Sequence, residues 1–190
     1  MSETRRPGGF AHRFADQALR SVDVRDHPDD HLAERFEAMS ERDKIDFMIE
    51  TNGWAIEAVP PDAESVPPTP GYAYTIGLTA DVGFPEVTVF GLTPAAAKGL
   101  LGLVADACRG GTEIPLGVEL VGLLDNELRC LFAPVDLDPW GPYFSTATDW
   151  YEGEPFELVQ MLYPDRNGFL PYETGYEQRM TLAQPVIGTV

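Results

Sequence analysis

Five polar side chains stand where a strand ends or an apolar face is interrupted: Thr75, Glu86, Gln160, Asp165 and Arg166. Glu86 follows a turn proline and opens a strand-like run, where a carboxylate can serve as a general acid or base or hold a cationic group. The same carboxylate can instead accept backbone N–H bonds and fix the turn. Asp165 and Arg166 begin an Asp-Arg-Asn-Gly sequence after an apolar segment. Asp165 suits acid/base work and Arg166 a clamp on an anionic substrate. Alternatively, the four residues form a polar turn in which Asn-Gly supplies positive φ. Gln160 interrupts the face Phe156, Leu158, Leu162, so its amide must find partners in a ligand or in a loop. Thr75 lies on the small-residue face of its strand, either as a cleft hydroxyl or as a cross-strand packing residue.

Other chemistries have little material. All three histidines (His12, His27, His31) fall in the first 31 residues, and none follows Trp54. A Ser-His or Cys-His pair within the core is therefore excluded unless the N-terminal segment folds back into it. Cys108 and Cys130 form no CxxC pair and read as reduced core residues of a cytoplasmic protein. No metal site is expected from so few ligands. No phosphate loop, GxGxxG or EF-hand pattern is present, so no cofactor is expected. Tyr72, Tyr74 and Tyr172 read as core or rim aromatics.

Charge narrows the partners. The net charge is −18, and residues 54–190 hold five basic against nineteen acidic groups. That field repels nucleic-acid phosphates and anionic lipid headgroups, so neither nucleic acid nor membrane is an expected partner. A basic protein or a cationic small molecule fits it. The N-terminal MSETRRPGGFAHRFAD has no apolar h-region, so no secretory signal is expected, and no run reaches the roughly 18 apolar residues of a membrane span.

The elements that must position these groups are legible from periodicity. Residues 1–30 are polar and aperiodic and read as a flexible arm. Residues 31–53 read as a helical extension: Asp29 or Asp30 caps a helix bearing Leu32, Phe36 and Met39. A capping box at Ser40 to Asp43 then opens one bearing Ile45, Met48 and Ile49, ending at Asn52-Gly53. Residues 54–190 form the core domain. Strands are expected over Trp54–Val59, Tyr72–Leu78 and Glu86–Leu92, with a proline-rich loop at 60–71 and a turn at 81–85. Tyr72, Tyr74, Ile76 and Leu78 alternate with Ala73, Thr75 and Gly77, so something must approach the small face closely. Thr93-Pro94 starts a helix that Gly110-Gly111 ends. A hairpin is expected between 117–124 and 127–135, placing Arg129 opposite Gly122 and Glu119 on the face of Val121, Cys130 and Phe132. Buried without a partner, Glu119 would have a raised pKa. A short helix over 143–152, a strand over 156–163 and a loop-rich tail complete the chain. The order implies an α+β fold with a single mixed or mostly antiparallel sheet and helices packed on it.

The string AYTIGL, the Gly-x-Pro-Glu turn, a strand ending in Phe-Gly-Leu, and QMLYPDRNGFLPYE with a late Gln184-Pro185 together resemble the bacterial domain-of-unknown-function family numbered 4262. The resemblance covers about 53–187 and implies the domain, but no activity and no catalytic residue.

The expectation is thus a cytoplasmic ligand- or protein-binding module with an acidic surface, its cleft lined by Thr75, Glu86, Gln160, Asp165 and Arg166. A hydrolase pairing Glu86 with Asp165 and an acidic inhibitor or immunity-type protein for a basic partner are the alternatives. The residues do not decide whether it is an enzyme.

Overall fold

A computed structural model describes residues 35–190. The expected arm over 1–30, the cap at Asp29 or Asp30, and Leu32 lie outside the described residues. The chain divides into two units, Met1–Ser40 and Glu41–Val190. Of the first, residues 35–37 are helical, and Met39 N–H donates to the Phe36 carbonyl at 3.2 Å.

The second unit opens with α1 (Glu41–Asn52), which buries Ile45. Gly53 ends it at φ +85°, and a Cβ there would stand 2.4 Å from Asp81 Oδ1, so only glycine fits. Six strands follow: β1 (Ala55–Val59), β2 (Tyr72–Ile76), β3 (Glu86–Phe90), β4 (Glu119–Val121), β5 (Arg129–Pro134) and β6 (Leu158–Leu162). They form one sheet in the order β1-β2-β3-β6-β5-β4, in which β3 and β6 run parallel and every other pair is antiparallel. The fold is α+β with a mixed sheet. A parallel pair needs a long crossover; here it is supplied by the helix and hairpin between β3 and β6.

Both faces are covered. On one, α3 (Pro94–Arg109) lays Ala97, Leu101, Val104 and Ala105 over Ala73, Val87, Val89, Phe132 and Met161. The Thr93 hydroxyl caps this helix by accepting from Ala96 N at 3.3 Å. The close approach expected at the small face of β2 is therefore a helix. On the other face, a 3-10 turn (Gly141–Phe144) and α5 (Ser145–Trp150) bring Phe144 and Ala147 against Tyr72, Tyr74, Ile76 and Leu158. Residues 184–190 cross beside Ala133, where Gly188 is required because a Cβ would meet the Ala133 Cβ at 2.6 Å.

Several details depart from the sequence expectations. The second strand stops at Ile76 because Gly77 turns left-handed at φ +88° and starts the short helix α2 (Leu78–Val82). The hairpin pairs Leu120 with Cys130 and Val121 with Arg129, one residue from the expected register. A one-residue slip exchanges faces, so Glu119 joins Arg129 and not Cys130. The slip arises at the 3-10 turn Asp125–Glu127, where both Asn126 and Glu127 have positive φ. Before Gly141, α4 (Leu137–Trp140) is capped by Asp136. In the tail, read as loop, α6 (Gln178–Ala183) forms. No described helix is long and apolar enough to cross a membrane.

Candidate functional site

Glu86 opens β3 fully buried and accepts four hydrogen bonds. Thr75 Oγ1 donates to Oε2 at 2.5 Å, while Gly77 N at 3.0 Å, Thr79 N at 3.2 Å and Tyr151 Oη at 2.5 Å donate to Oε1. Thr75 in turn accepts from Val87 N at 2.9 Å. The carboxyl thus knits the ends of β2 and β3, the first turn of α2 and the end of α5. Burial, then the neighbouring Glu86, pushes the Tyr151 hydroxyl pKa well above the ordinary tyrosine range. Thr75 and Glu86 do meet, but as a saturated internal joint with no acceptor capacity turned outward.

Gln160, also fully buried, accepts from Ile187 N at 2.8 Å and Gly188 N at 3.1 Å through Oε1. Its Nε2 donates to the Pro185 carbonyl at 2.6 Å. A lone glutamine on an apolar strand face therefore serves as the anchor of the C-terminal segment. Gln184 repeats the device by bonding both backbone groups of Tyr163 and the hydroxyl of Tyr176.

Asp165 is buried and shapes the turn after β6. Its Oδ1 accepts from Asn167 N at 2.8 Å and Phe169 N at 3.0 Å, and its Oδ2 from Glu177 N at 2.9 Å. Burial raises its pKa, but the Phe169, Asn167 and Glu177 N–H groups outweigh that effect and hold it below the ordinary value. Arg166 points away, its side chain 79% exposed and its Nε 3.5 Å from Glu177 Oε2.

The shared cleft expected from the sequence does not form. In the parallel β3–β6 pair Glu86 is level with Leu158, at the start of β6, whereas Asp165 follows the strand's end at Leu162. Four strand steps of about 3.3 Å, roughly 13 Å, separate those two ends before the turn itself is counted. Glu86 and Thr75 therefore lie at one end of the sheet, Asp165 and Arg166 beyond the other, and Gln160 between them beneath the C-terminal segment.

Two arrangements were not foreseen. Arg129 bridges Glu119 at 3.0 Å and grips Glu173 at 2.9 and 2.8 Å while donating to the Gly168 carbonyl at 2.9 Å. This two-pronged grip holds the Glu173 carboxyl below the usual range. It locks the turn after Asp165 onto β5. Glu119 has the ion-pair partner that the expected register denied it.

The second is a cleft of about 680 Å³ at the Glu86 end of the sheet. Its apolar surface includes Leu116, Val135, Leu137 and Phe156, and its acids are Asp136, Asp138, Glu154 and Glu157. No lysine or arginine is among the lining residues. Phe156 stacks on Tyr151 with centroids 4.9 Å apart, so the Glu86 joint braces the cleft wall from behind. The sequence signal was present as Asp-x-Asp beside Pro134 and Glu-Pro-Phe-Glu before β6, but only the β5–β6 pairing, with Pro134 opposite Val159, brings them together. Among the described residues no cluster of histidine, cysteine or carboxylate side chains could hold a metal ion.

Fold and site together define a mixed-sheet α+β domain with an acidic cleft at a strand-end rim. Residues 48–177 match the model of a family described as a domain of unknown function, DUF4262. The chain belongs to that family. Neither a curated protein nor a solved structure matches it.

Proposed function

We propose that this domain is a binding module whose cleft receives a cationic, partly apolar segment of a basic protein partner. One observation carries the reading: four carboxylates and no cation line a mostly apolar cleft of about 680 Å³, a size within the range of ligand sites. The apolar lining offers burial to aliphatic or aromatic side chains, and the acids offer pairing to arginine or lysine. The excess of fourteen negative charges over residues 54–190 would speed encounter with such a partner. A hydrolase built on Glu86 and Asp165 finds no support in the geometry, since both carboxyls are buried and engaged by internal donors at opposite strand ends.

Hydrogen exchange with a short peptide of alternating arginine and leucine tests the reading. Protection confined to the lining positions, residues 116, 134–138, 148 and 153–159, is the expected result. Protection elsewhere, or none, overturns the cleft as the binding site.

A further inference from the structure

On the sheet face away from α3, a separate pocket of about 180 Å³ is lined by four aromatic rings (Phe90, Trp140, Tyr143 and Phe144), by prolines and Thr69 of the 60–71 loop, and by Pro185 and Ile187 of the C-terminal segment. It shares no residue with the acidic cleft. Phe90 and Phe144 are buried and form its floor, while Tyr143 is 37% exposed at the rim. The Trp140 and Tyr143 rings stand 5.5 Å apart with planes inclined at 59°, so they make a corner and not a stack. Tyr72 braces the assembly from inside. It stacks on Phe90 at 5.2 Å, meets Phe144 edge-on at 5.9 Å, and donates its hydroxyl to the Tyr143 carbonyl at 2.7 Å. The floor rings and the Tyr143 backbone are therefore held in place before any ligand arrives.

We propose that this aromatic pocket binds a quaternary ammonium group. Aromatic rings attract cations through their negative faces, and the surplus of acidic groups over residues 54–190 favours a cation over a neutral or anionic ligand. The lining selects the kind of cation. No carboxylate lines the pocket, and the Thr69 hydroxyl is already engaged with Ser65 at 3.1 Å. A primary ammonium would bring three N–H donors, and the lining side chains offer only the Tyr143 and Thr69 hydroxyls as acceptors, too few for all three. A quaternary ammonium brings none and presents only methyl groups to the rings, the prolines and Ile187. The volume is also of the right order, since about 150 Å³ encloses one benzene-sized group. Two sources carry this chemistry, a free trimethylammonium compound such as choline and a trimethylated lysine on a protein.

The test follows the indole N–H resonance of Trp140 in the full chain during titration with choline. A parallel titration uses 3,3-dimethylbutan-1-ol, its neutral carbon isostere. Choline is expected to shift that resonance and to bind about tenfold or more tightly than the alcohol. Tyr143→Leu, followed by the same Trp140 resonance, and Trp140→Leu, followed by calorimetric titration, should each lose the preference while the rest of the spectrum is unchanged. A second arm uses a peptide bearing trimethyl-lysine. Tighter binding of the peptide assigns the site to a modified protein, and tighter binding of choline to a free compound. Equal affinity for choline and the alcohol, or no Trp140 response to either choline or the peptide, overturns the proposal. Since the cleft and this pocket have no residue in common, either result leaves the cleft reading to its own experiment.

Discussion

The Tyr151 hydroxyl meets Glu86 Oε1 at 2.5 Å, tying the end of the helix before β6 to the first residue of β3. Because Glu86 also holds Thr75, Gly77 and Thr79, one carboxyl sets the positions of three chain segments around the strand-end rim. The cleft wall carrying Phe156 rests on that joint through Tyr151.

Glu86→Gln replaces one acceptor oxygen by an NH2 that faces existing donors. It should cost about 2–4 kcal/mol, whereas Tyr151→Phe, which removes a single hydrogen bond, should cost about 1–2 kcal/mol. Urea unfolding midpoints of the two variants and of their double mutant give both costs and the coupling. Near-additive effects would show that the Tyr151–Glu86 contact carries no weight.

Asp165 ties stability to acid. Its folded pKa lies below the ordinary 3.8, so its contribution is complete above that value and disappears as pH falls through the lowered one. Asp165→Asn should therefore lower stability at neutral pH and flatten the acid limb of the stability profile. An unchanged acid limb would mean that the turn does not depend on this carboxylate.

Glu57 has the opposite sign. Burial and the nearby Glu41 raise its pKa from 4.5, with Lys44 partly opposing them. Ionisation then favours the unfolded chain, and stability is lost as pH rises through the raised value. Glu57→Gln should stabilise the protein at pH 7 and leave it nearly unchanged at pH 4, measured by thermal unfolding at both.

The two arginines flanking the last turn should behave differently. Arg129→Met breaks the grip on Glu173 and leaves the Gly168 carbonyl without its donor, so the unfolding midpoint should fall clearly. Arg166→Ala touches only an exposed 3.5 Å pair and should change stability by about 0.5 kcal/mol or less. Equal losses in the two variants would contradict this division.

Alternation and capping made much of the architecture readable. Tyr72, Tyr74 and Ile76 point to one layer and Ala73 to the other, and Thr93-Pro94 starts its helix as expected. Register was the weak point. Asn126 and Glu127 both adopt positive φ, so the turn takes a shape that Asp125-Asn126 alone does not specify, and Glu119 changes face. Four of the five polar residues singled out in the sequence, Thr75, Glu86, Gln160 and Asp165, are buried polar groups whose hydrogen bonds must be satisfied, whereas Arg166 is exposed. The polar turn offered as one reading of Asp165 is local, with donors two and four residues on, but local sequence could not say that Gln160 is answered by backbone groups 25 to 28 residues away. The acidic cleft escaped for the same reason, since its two halves join only through pairing of β5 with β6.

The cleft's role is tested most directly by calorimetric titration of the arginine–leucine peptide into the wild-type chain and into a variant carrying Asp136→Asn, Asp138→Asn, Glu154→Gln and Glu157→Gln. Wild-type affinity should fall as salt rises, and the neutralised variant should bind about tenfold or more weakly. Equal affinity of the two proteins, or wild-type binding insensitive to salt, would contradict the assignment.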